Sequence, residues 1–455
     1  MLWPSRSGRW KDALIIDTLF MQAKLNIGVL TGRLPYPNGL GGTQRIRLMA
    51  RAMAEAGAAV NVWVDGLDGS TEARNFQVAG EKDGIPFEYL LGKTQASPLK
   101  WRRILDRFVM AWVTRRRLAG AAHSRSLDGL YFYTSDSTPD FERLVVRNQA
   151  RRHRFPVIID LREAPWALKS KRTPVEKMVS PLWGADGVIC ISHFLKNWVE
   201  EENQRTGRNV RLIEVPILVD ANEIKPATAP PAGKIVLFAG SPLYDETLRF
   251  LVAAMELVWQ RHADCHLVIT GGSTEATLGL AAKGRSGKVR HAGFVERSAL
   301  LGEYAAASVL AVPLFDDVRS HARFPTKLGE YLASGRPVVT NWVGEIPRYL
   351  KDGVCACVTA PGDVAAFAEA ICRLLDHQTS AHAIGQRGRQ VAEQHFHYAN
   401  YGAKICELFC SCLRADSPTL IEDRKSSIPG RRAATGQSLS GRTHARVLSG
   451  KSFYE

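Results

Sequence analysis

The chain has 455 residues, 45% hydrophobic and 23% charged, the composition of an ordinary globular protein with room for two or three domains. No apolar run approaches the ~20 residues that cross a bilayer. A formal net charge of +15 implies affinity for something acidic, and charge alone does not choose among nucleic acid, anionic lipid and a phosphorylated substrate.

The eight cysteines are scattered, without a CxxC pair or zinc spacing, and read as free thiols in a reducing, cytoplasmic compartment, with no metal site expected. Residues 1–23 carry basic residues, then an apolar stretch that Asp17 interrupts. They read as a disordered leader or as an overlong start with Met21 as initiator.

Residues 24–30 form a short apolar run suited to a buried parallel strand. A glycine-rich turn with Gly39, Gly41 and Gly42 follows. A helix with Ile46, Met49, Ala50 and Met53 on one face then runs to Gly57, and a strand occupies 60–65, which makes a βαβ unit. The turn is not a complete dinucleotide fingerprint, because Gln44 stands where the third glycine belongs; a plain tight turn also fits.

Across 99–118, Trp101, Ile104, Leu105, Phe108, Val109, Trp112 and Val113 recur at helical spacing among seven basic residues and one acid, Asp106. Such a helix either lies against an anionic membrane or packs its apolar face on the sheet of its own domain. Nothing in the pattern signals a nucleic-acid fold, and no nucleic-acid partner is expected. Residues 130–133 and 156–160 are further strands; Asp160 and Glu163 follow where open α/β sheets bind ligands, although an Asp–Arg turn would also place them there. A strand at 185–191 leads to Ser192 and His193, and another lies at 212–220.

The proline-rich stretch 225–233 is the clearest boundary in the chain. Beyond it, strands at 234–240, 265–270, 289–295 and 309–314 alternate with helices at 247–261 and 300–306. Alternation on both sides of one linker predicts an α/β protein of two doubly wound domains facing each other. The expected division is 24–222, a linker at 223–233, 234–385, closing helices at 386–413 and a disordered basic tail at 414–455.

The most informative stretch is 323–340, RFPTKLGEYLASGRPVVT. It reads as a loop, a two-turn helix with Thr326 as N-cap and Gly335 as C′ residue, and a buried strand after Pro337. Lys327 sits where the helix dipole favours negative charge, and Gly329 weakens the first turn. Helix stability alone would not select these residues; receiving an anion at exposed N–H groups would. Lys327 and Glu330 share one face, so one can hold a phosphate while the other accepts from a sugar diol. An ordinary surface ion pair is the other reading.

The segment PTKLGEYLASGRPVV resembles the donor site of glycosyltransferase family 4, retaining enzymes of the GT-B fold, whose two Rossmann-like domains face each other across a cleft. The resemblance implies that Glu330 binds the ribose of a nucleotide-sugar, UDP- or GDP-linked, and that Thr326 lies beside the donor. GGTQR resembles the family loop in which Gly41 and Gly42 approach the sugar diphosphate. IIDLREAPW is similar to the acceptor-side segment, giving Asp160 and Glu163 catalytic positions, with Ser192 and His193 facing the acceptor. Gly240 would border the diphosphate, and Gly344 and Glu345 the donor sugar. Two departures stand out. The family's first glutamate is replaced by Ala322, with Asp316, Asp317 and His321 nearby, and the Gly-Arg…Lys pattern after strand 234–240 is absent, which leaves Lys327 and Arg323 as the nearest cations by sequence.

The implied activity is metal-independent, retaining hexosyl transfer without a further cofactor. The acceptor would be a glycan or lipid-linked molecule of surface polysaccharide or lipopolysaccharide synthesis. The expected location is cytoplasmic, peripheral at the inner face of the plasma membrane. The loss at Ala322 keeps a nucleotide-binding scaffold subunit of a polysaccharide assembly complex as the alternative.

Overall fold

The computed structural model describes residues 24–69, 75–134, 140–164, 182, 184–240, 245–271 and 287–415. The expected leader (1–23), nearly all of the tail, Ser241–Tyr244 after Gly240, Gly272 and Trp166 lie outside these residues. Two sheets dominate.

The first contains β1 (Asn26–Leu30), β2 (Ala59–Val64), β3 (Ala79–Lys82), β4 (Ile85–Tyr89), β5 (Gly129–Phe132), β6 (Val157–Leu161), β7 (Gly187–Cys190) and β8 (Arg211–Glu214). Their order is β3-β4-β2-β1-β5-β6-β7-β8, parallel except for the β3–β4 hairpin. The second contains β9 (Ile235–Ala239), β10 (His266–Thr270), β11 (Val289–Gly293), β12 (Val309–Val312), β13 (Val338–Asn341) and β14 (Cys357–Thr359), all parallel in the order β11-β10-β9-β12-β13-β14. In both sheets the strand order reverses beside the first strand, which opens a crevice at the carboxyl ends where α/β proteins bind ligands.

The central strands are apolar because helices cover both faces. β5, β6, β7, β12 and β13 are buried at every residue. One hydrophobic cluster runs through both halves, from Leu130 and Val188 under the first sheet to Leu237 and Leu310 under the second, through Ile217, Val219 and Phe396. The proline-rich stretch lies on the second half, where Ala227 N–H donates to the Ser334 carbonyl at 2.8 Å and Gln386 donates to the Ala227 carbonyl at 2.8 Å.

After helices Val364–Asp376 and Gln378–Val391 the chain returns to the first sheet. Helix Gly402–Ala415 packs Phe409 against Gly129, where a Cβ would stand 2.5 Å from the ring. Gly402 fits against the Ala52 carbonyl, 2.0 Å from where its Cβ would be. All eight cysteines are free thiols, Cys406 and Cys410 half-buried and the rest buried. No helix among the described residues is long and apolar enough to cross a membrane.

Candidate functional site

A cleft of about 1090 Å³ lies between the two sheets. The first half contributes Gly39–Gly42, Arg45, Arg47, Tyr133, Arg162 and Glu163; the second contributes Gly240, Arg297, Tyr304, Arg323, Thr326, Lys327 and Glu330. The glycine loop becomes the first turn of helix Gly41–Glu55, and helix Thr326–Ala333 begins directly opposite. The fit requires glycine: a Cβ on Gly41 would sit 2.8 Å from Thr326 Oγ1, and one on Gly42 would sit 2.6 Å from the Tyr133 hydroxyl. Thr326 is not the N-cap expected from the sequence. Pro325 holds that position, no side chain caps the helix, and Thr326 turns its hydroxyl toward Gly41 instead. Gly335 is the expected left-handed residue past the helix end, with φ 71°.

Lys327 places its Nζ 4.1 Å from the centre of the Phe238 ring and 3.3 Å from where a Cβ on Gly240 would lie. Burial lowers its pKa to about 7, because desolvation disfavours the ammonium form. Arg323 crosses the cleft to Glu163, Nη2 to Oε1 3.1 Å. Its buried Nε has no acceptor among the described residues.

Glu330 is engaged by neighbours the sequence reading did not name. Oε1 accepts from Arg297 Nη1 at 2.8 Å and Oε2 from the Tyr304 hydroxyl at 3.0 Å. Arg297 also forms a two-pronged pair with Glu223, at 3.0 and 3.1 Å. Glu223 reaches Arg47 at 3.3 Å, and Arg47 holds Asp83. A row of alternating charges thus runs from the second half through the segment joining the halves into the first. Burial alone would lower the Arg297 pKa, but Glu330 and Glu223 outweigh it and hold the guanidinium firmly charged. Burial and the Glu330 carboxylate push the Tyr304 phenol well up, so it stays a donor. Arg297 was legible by the rule that singled out Lys327: it opens helix Arg297–Ala306, whose first turn has no acid and whose dipole disfavours a cation.

Five of the expected residues lie outside the cleft lining. Asp160 is 1% exposed, and both its oxygens belong to Arg45 at 2.7 and 3.0 Å, with the Tyr131 hydroxyl adding a third bond at 2.7 Å. It anchors the glycine-loop helix and lies outside the cleft lining. Ser192 is buried, caps helix His193–Thr206 and donates to the Ala322 carbonyl of the other half at 2.7 Å. His193 leans on Glu214 at 3.3 Å. Its N–H donates to Glu345 Oε1 at 2.7 Å, and Glu345 also holds Arg348 at 2.6 Å. Glu345 is therefore a strut between the halves. Gly344, at φ 58°, packs on the Ser320 carbonyl. Of the residues weighed as stand-ins for the acid missing at Ala322, only Asp317 lines the cleft; it caps a short helix through Ser320, while Asp316 and His321 pair outside.

Three comparisons bear on this geometry. Residues 233–377, beginning where the proline-rich stretch ends, match the family profile of glycosyl transferases group 1. The phosphatidyl-myo-inositol mannosyltransferase of Mycobacterium leprae (strain TN) is 30% identical over 196 residues, 42% of this chain and 50% of that protein. The MMP alpha-(1->4)-mannosyltransferase of Mycolicibacterium hassiacum is 26% identical over 200 residues, 43% and 47% of the two chains. The chain spans about half the length of these curated relatives. Sucrose-phosphate synthase from Thermosynechococcus elongatus superposes with a TM-score of 0.66 at 19% identity, over 86% of this chain and 100% of its own. The chain has the GT-B fold, and its residues 233–377 match the glycosyl transferases of group 1.

Proposed function

We propose that this chain moves a hexose from a UDP- or GDP-linked donor to a glycan or lipid-linked acceptor, with retention of anomeric configuration and without a metal. The observation that carries the reading is the start of helix Thr326–Ala333, uncapped and open to the cleft, with Lys327 and Glu330 beside it and the glycine loop facing it. The uncapped helix start, an ammonium and a nearby guanidinium with a spare buried donor, Arg323 Nε, make a receptacle for a diphosphate. Arg319 also lines this part of the cleft. As the anomeric C–O bond breaks, negative charge grows on the departing diphosphate, and these fixed positive groups stabilise it. The acceptor hydroxyl arrives on the same face of the sugar. It can pass its proton to the leaving oxygen, so neither a strong base nor a divalent cation is called for. Glu330 accepts from the ribose diol, with Arg297 and Tyr304 holding its carboxylate in place. Glu163, across the cleft, lies on the acceptor side. Two relatives named as mannosyltransferases support a hexose.

The test is a thermal-shift screen with UDP, GDP, ADP and their sugars, followed by radiolabelled transfer by the wild type and Glu330→Gln. A ligand at about 100-fold excess over its dissociation constant adds roughly 2–3 kcal/mol of stability. Failure of every nucleotide to shift the melting point refutes the donor site. Persistence of the product with EDTA and an unchanged anomeric configuration by NMR are the expected results. A second reading, a nucleotide-binding subunit with weakened catalysis, is favoured by Ala322 and by the engagement of both Glu330 oxygens; it predicts binding without transfer.

A further inference from the structure

The sequence left helix Lys100–His123 with two readings, and its environment separates the two halves of the helix. The C-terminal half is docked: Leu118 is fully buried, Ala121 nearly so, and Arg117 pairs with Glu88 of β4 at 2.5 Å and covers Trp63 of β2. In the N-terminal half Met110 is buried and Phe108 stacks on Phe141 at 5.8 Å, but most of the apolar face stays open. Trp101, Ile104, Leu105, Phe108, Val109 and Trp112 are each between 40% and 62% exposed. Leu144, on the neighbouring helix Asp140–His153, is also exposed.

The charge around this face is one-sided. Lys100, Arg102, Arg103, Arg107, Arg115 and Arg116 accompany it, and the single acid, Asp106, is neutralised by Lys93 at 2.7 Å. Among the described residues none of the five arginines Arg102, Arg103, Arg107, Arg115 and Arg116 joins an ion pair with a carboxylate. Two of them fold over the exposed indoles, Arg102 5.1 Å from Trp101 and Arg116 4.7 Å from Trp112. An apolar strip with tryptophans and a border of cations on long, flexible stems matches a lipid surface. The rings enter the headgroup boundary while the guanidinium groups reach the phosphates.

We propose that the N-terminal half of helix Lys100–His123 seats the first domain on an anionic bilayer. This surface is separate from the cleft, and its binding needs no donor or acceptor. The experiment is co-sedimentation of the full chain with vesicles of phosphatidylglycerol and phosphatidylcholine, against vesicles of phosphatidylcholine alone. Binding is expected only to the anionic vesicles, and raising salt should weaken it steeply. Arg102→Gln/Arg103→Gln/Arg107→Gln should lower the partition coefficient roughly 100-fold, at about fivefold per cation. Trp101→Ser/Trp112→Ser should lower it at least about tenfold. The side chains replaced are exposed, so both variants should melt with the wild type, and nucleotide-induced thermal shifts should be unchanged in them. Equal vesicle binding by wild type and variants overturns the proposal, and so does a lack of binding by a wild type that still responds to nucleotide. Concentration-dependent dimerisation abolished by Trp101→Ser/Trp112→Ser would assign the face to a second copy instead, and also overturns it.

Discussion

The proposed donor site is proton-linked through Lys327. Its folded pKa of about 7 lies below the ordinary 10.5, so the unfolded chain holds this proton more tightly. Without ligand, the lysine therefore costs stability at neutral pH, and stability rises as pH goes from about 7 toward about 10. A diphosphate seated beside the ammonium reverses the balance, because it favours the charged form and raises the pKa in the complex. At about pH 8 roughly a tenth of the unliganded protein carries the charge, so a nucleotide-sugar should bind about tenfold more weakly than at about pH 6, a difference near 1.4 kcal/mol. A nucleotide-sugar is the right probe, since its diphosphate is esterified at both ends and does not itself titrate in this window. Calorimetry at about pH 8 in buffers of differing ionisation enthalpy should register uptake of close to one proton per donor bound. Lys327→Met should bind weakly with a flat pH profile. A wild-type affinity that stays constant across this range, with no proton taken up, refutes the placement of the diphosphate beside Lys327.

Arg297→Ala and Glu330→Gln should each weaken donor binding, and the double variant should lose less than the sum, with a coupling of about 1–2 kcal/mol in a thermodynamic cycle; strict additivity would mean that the 2.8 Å pair does not position the carboxylate. Arg45→Met should cost about 3–5 kcal/mol in urea unfolding, because it strands the buried Asp160 carboxylate; a loss under 1 kcal/mol would contradict the anchoring role. Gly41→Ala should lower kcat roughly 10- to 100-fold at near-normal stability, by holding the glycine loop off Thr326. Thr326→Ala should then restore much of the loss, since it removes the oxygen the new Cβ meets.

Strand β14, only three residues long, was missed, whereas β5, β6, β7, β12 and β13, buried on both faces, were legible, since an apolar run such as Val338-Val339 between Pro337 and a turn has few alternatives. The β3–β4 hairpin was missed for the opposite reason: β3 is polar and mostly exposed. Its signal was nonetheless present, an Asp83-Gly84 pair whose φ values of 54° and 74° are those of a two-residue hairpin turn. In the site, position along a strand told where Asp160 and Ser192 lie but not what holds them. Arg45 and Asp160 are distant in sequence, and a pattern of single residues carries no information about such pairing. Glu223 had no local signal at all, being an ordinary acid before a proline-rich stretch, and gains its role only because Arg297 and Arg47 converge on it.

Ala322 tests whether this cleft is a damaged version of the family pattern or a different solution. The alanine is fully buried in the hydrophobic cluster, its carbonyl is held by Ser192, and it is absent from the cleft lining although Ser320 and Arg323 on either side belong to it. An acid restored here would point into packed side chains. Burying an unpaired carboxylate costs several kcal/mol or forces the group to stay protonated, when it cannot serve a sugar as an anion. Ala322→Glu should therefore destabilise the chain by about 3 kcal/mol or more and leave donor turnover no higher than in the wild type. A variant of normal stability with raised turnover would show that the side chain at 322 reaches the donor after all. On the observed packing, Arg297, Arg323, Lys327 and Glu330 are among the charges that line the cleft, and an acid at 322 has no place beside them.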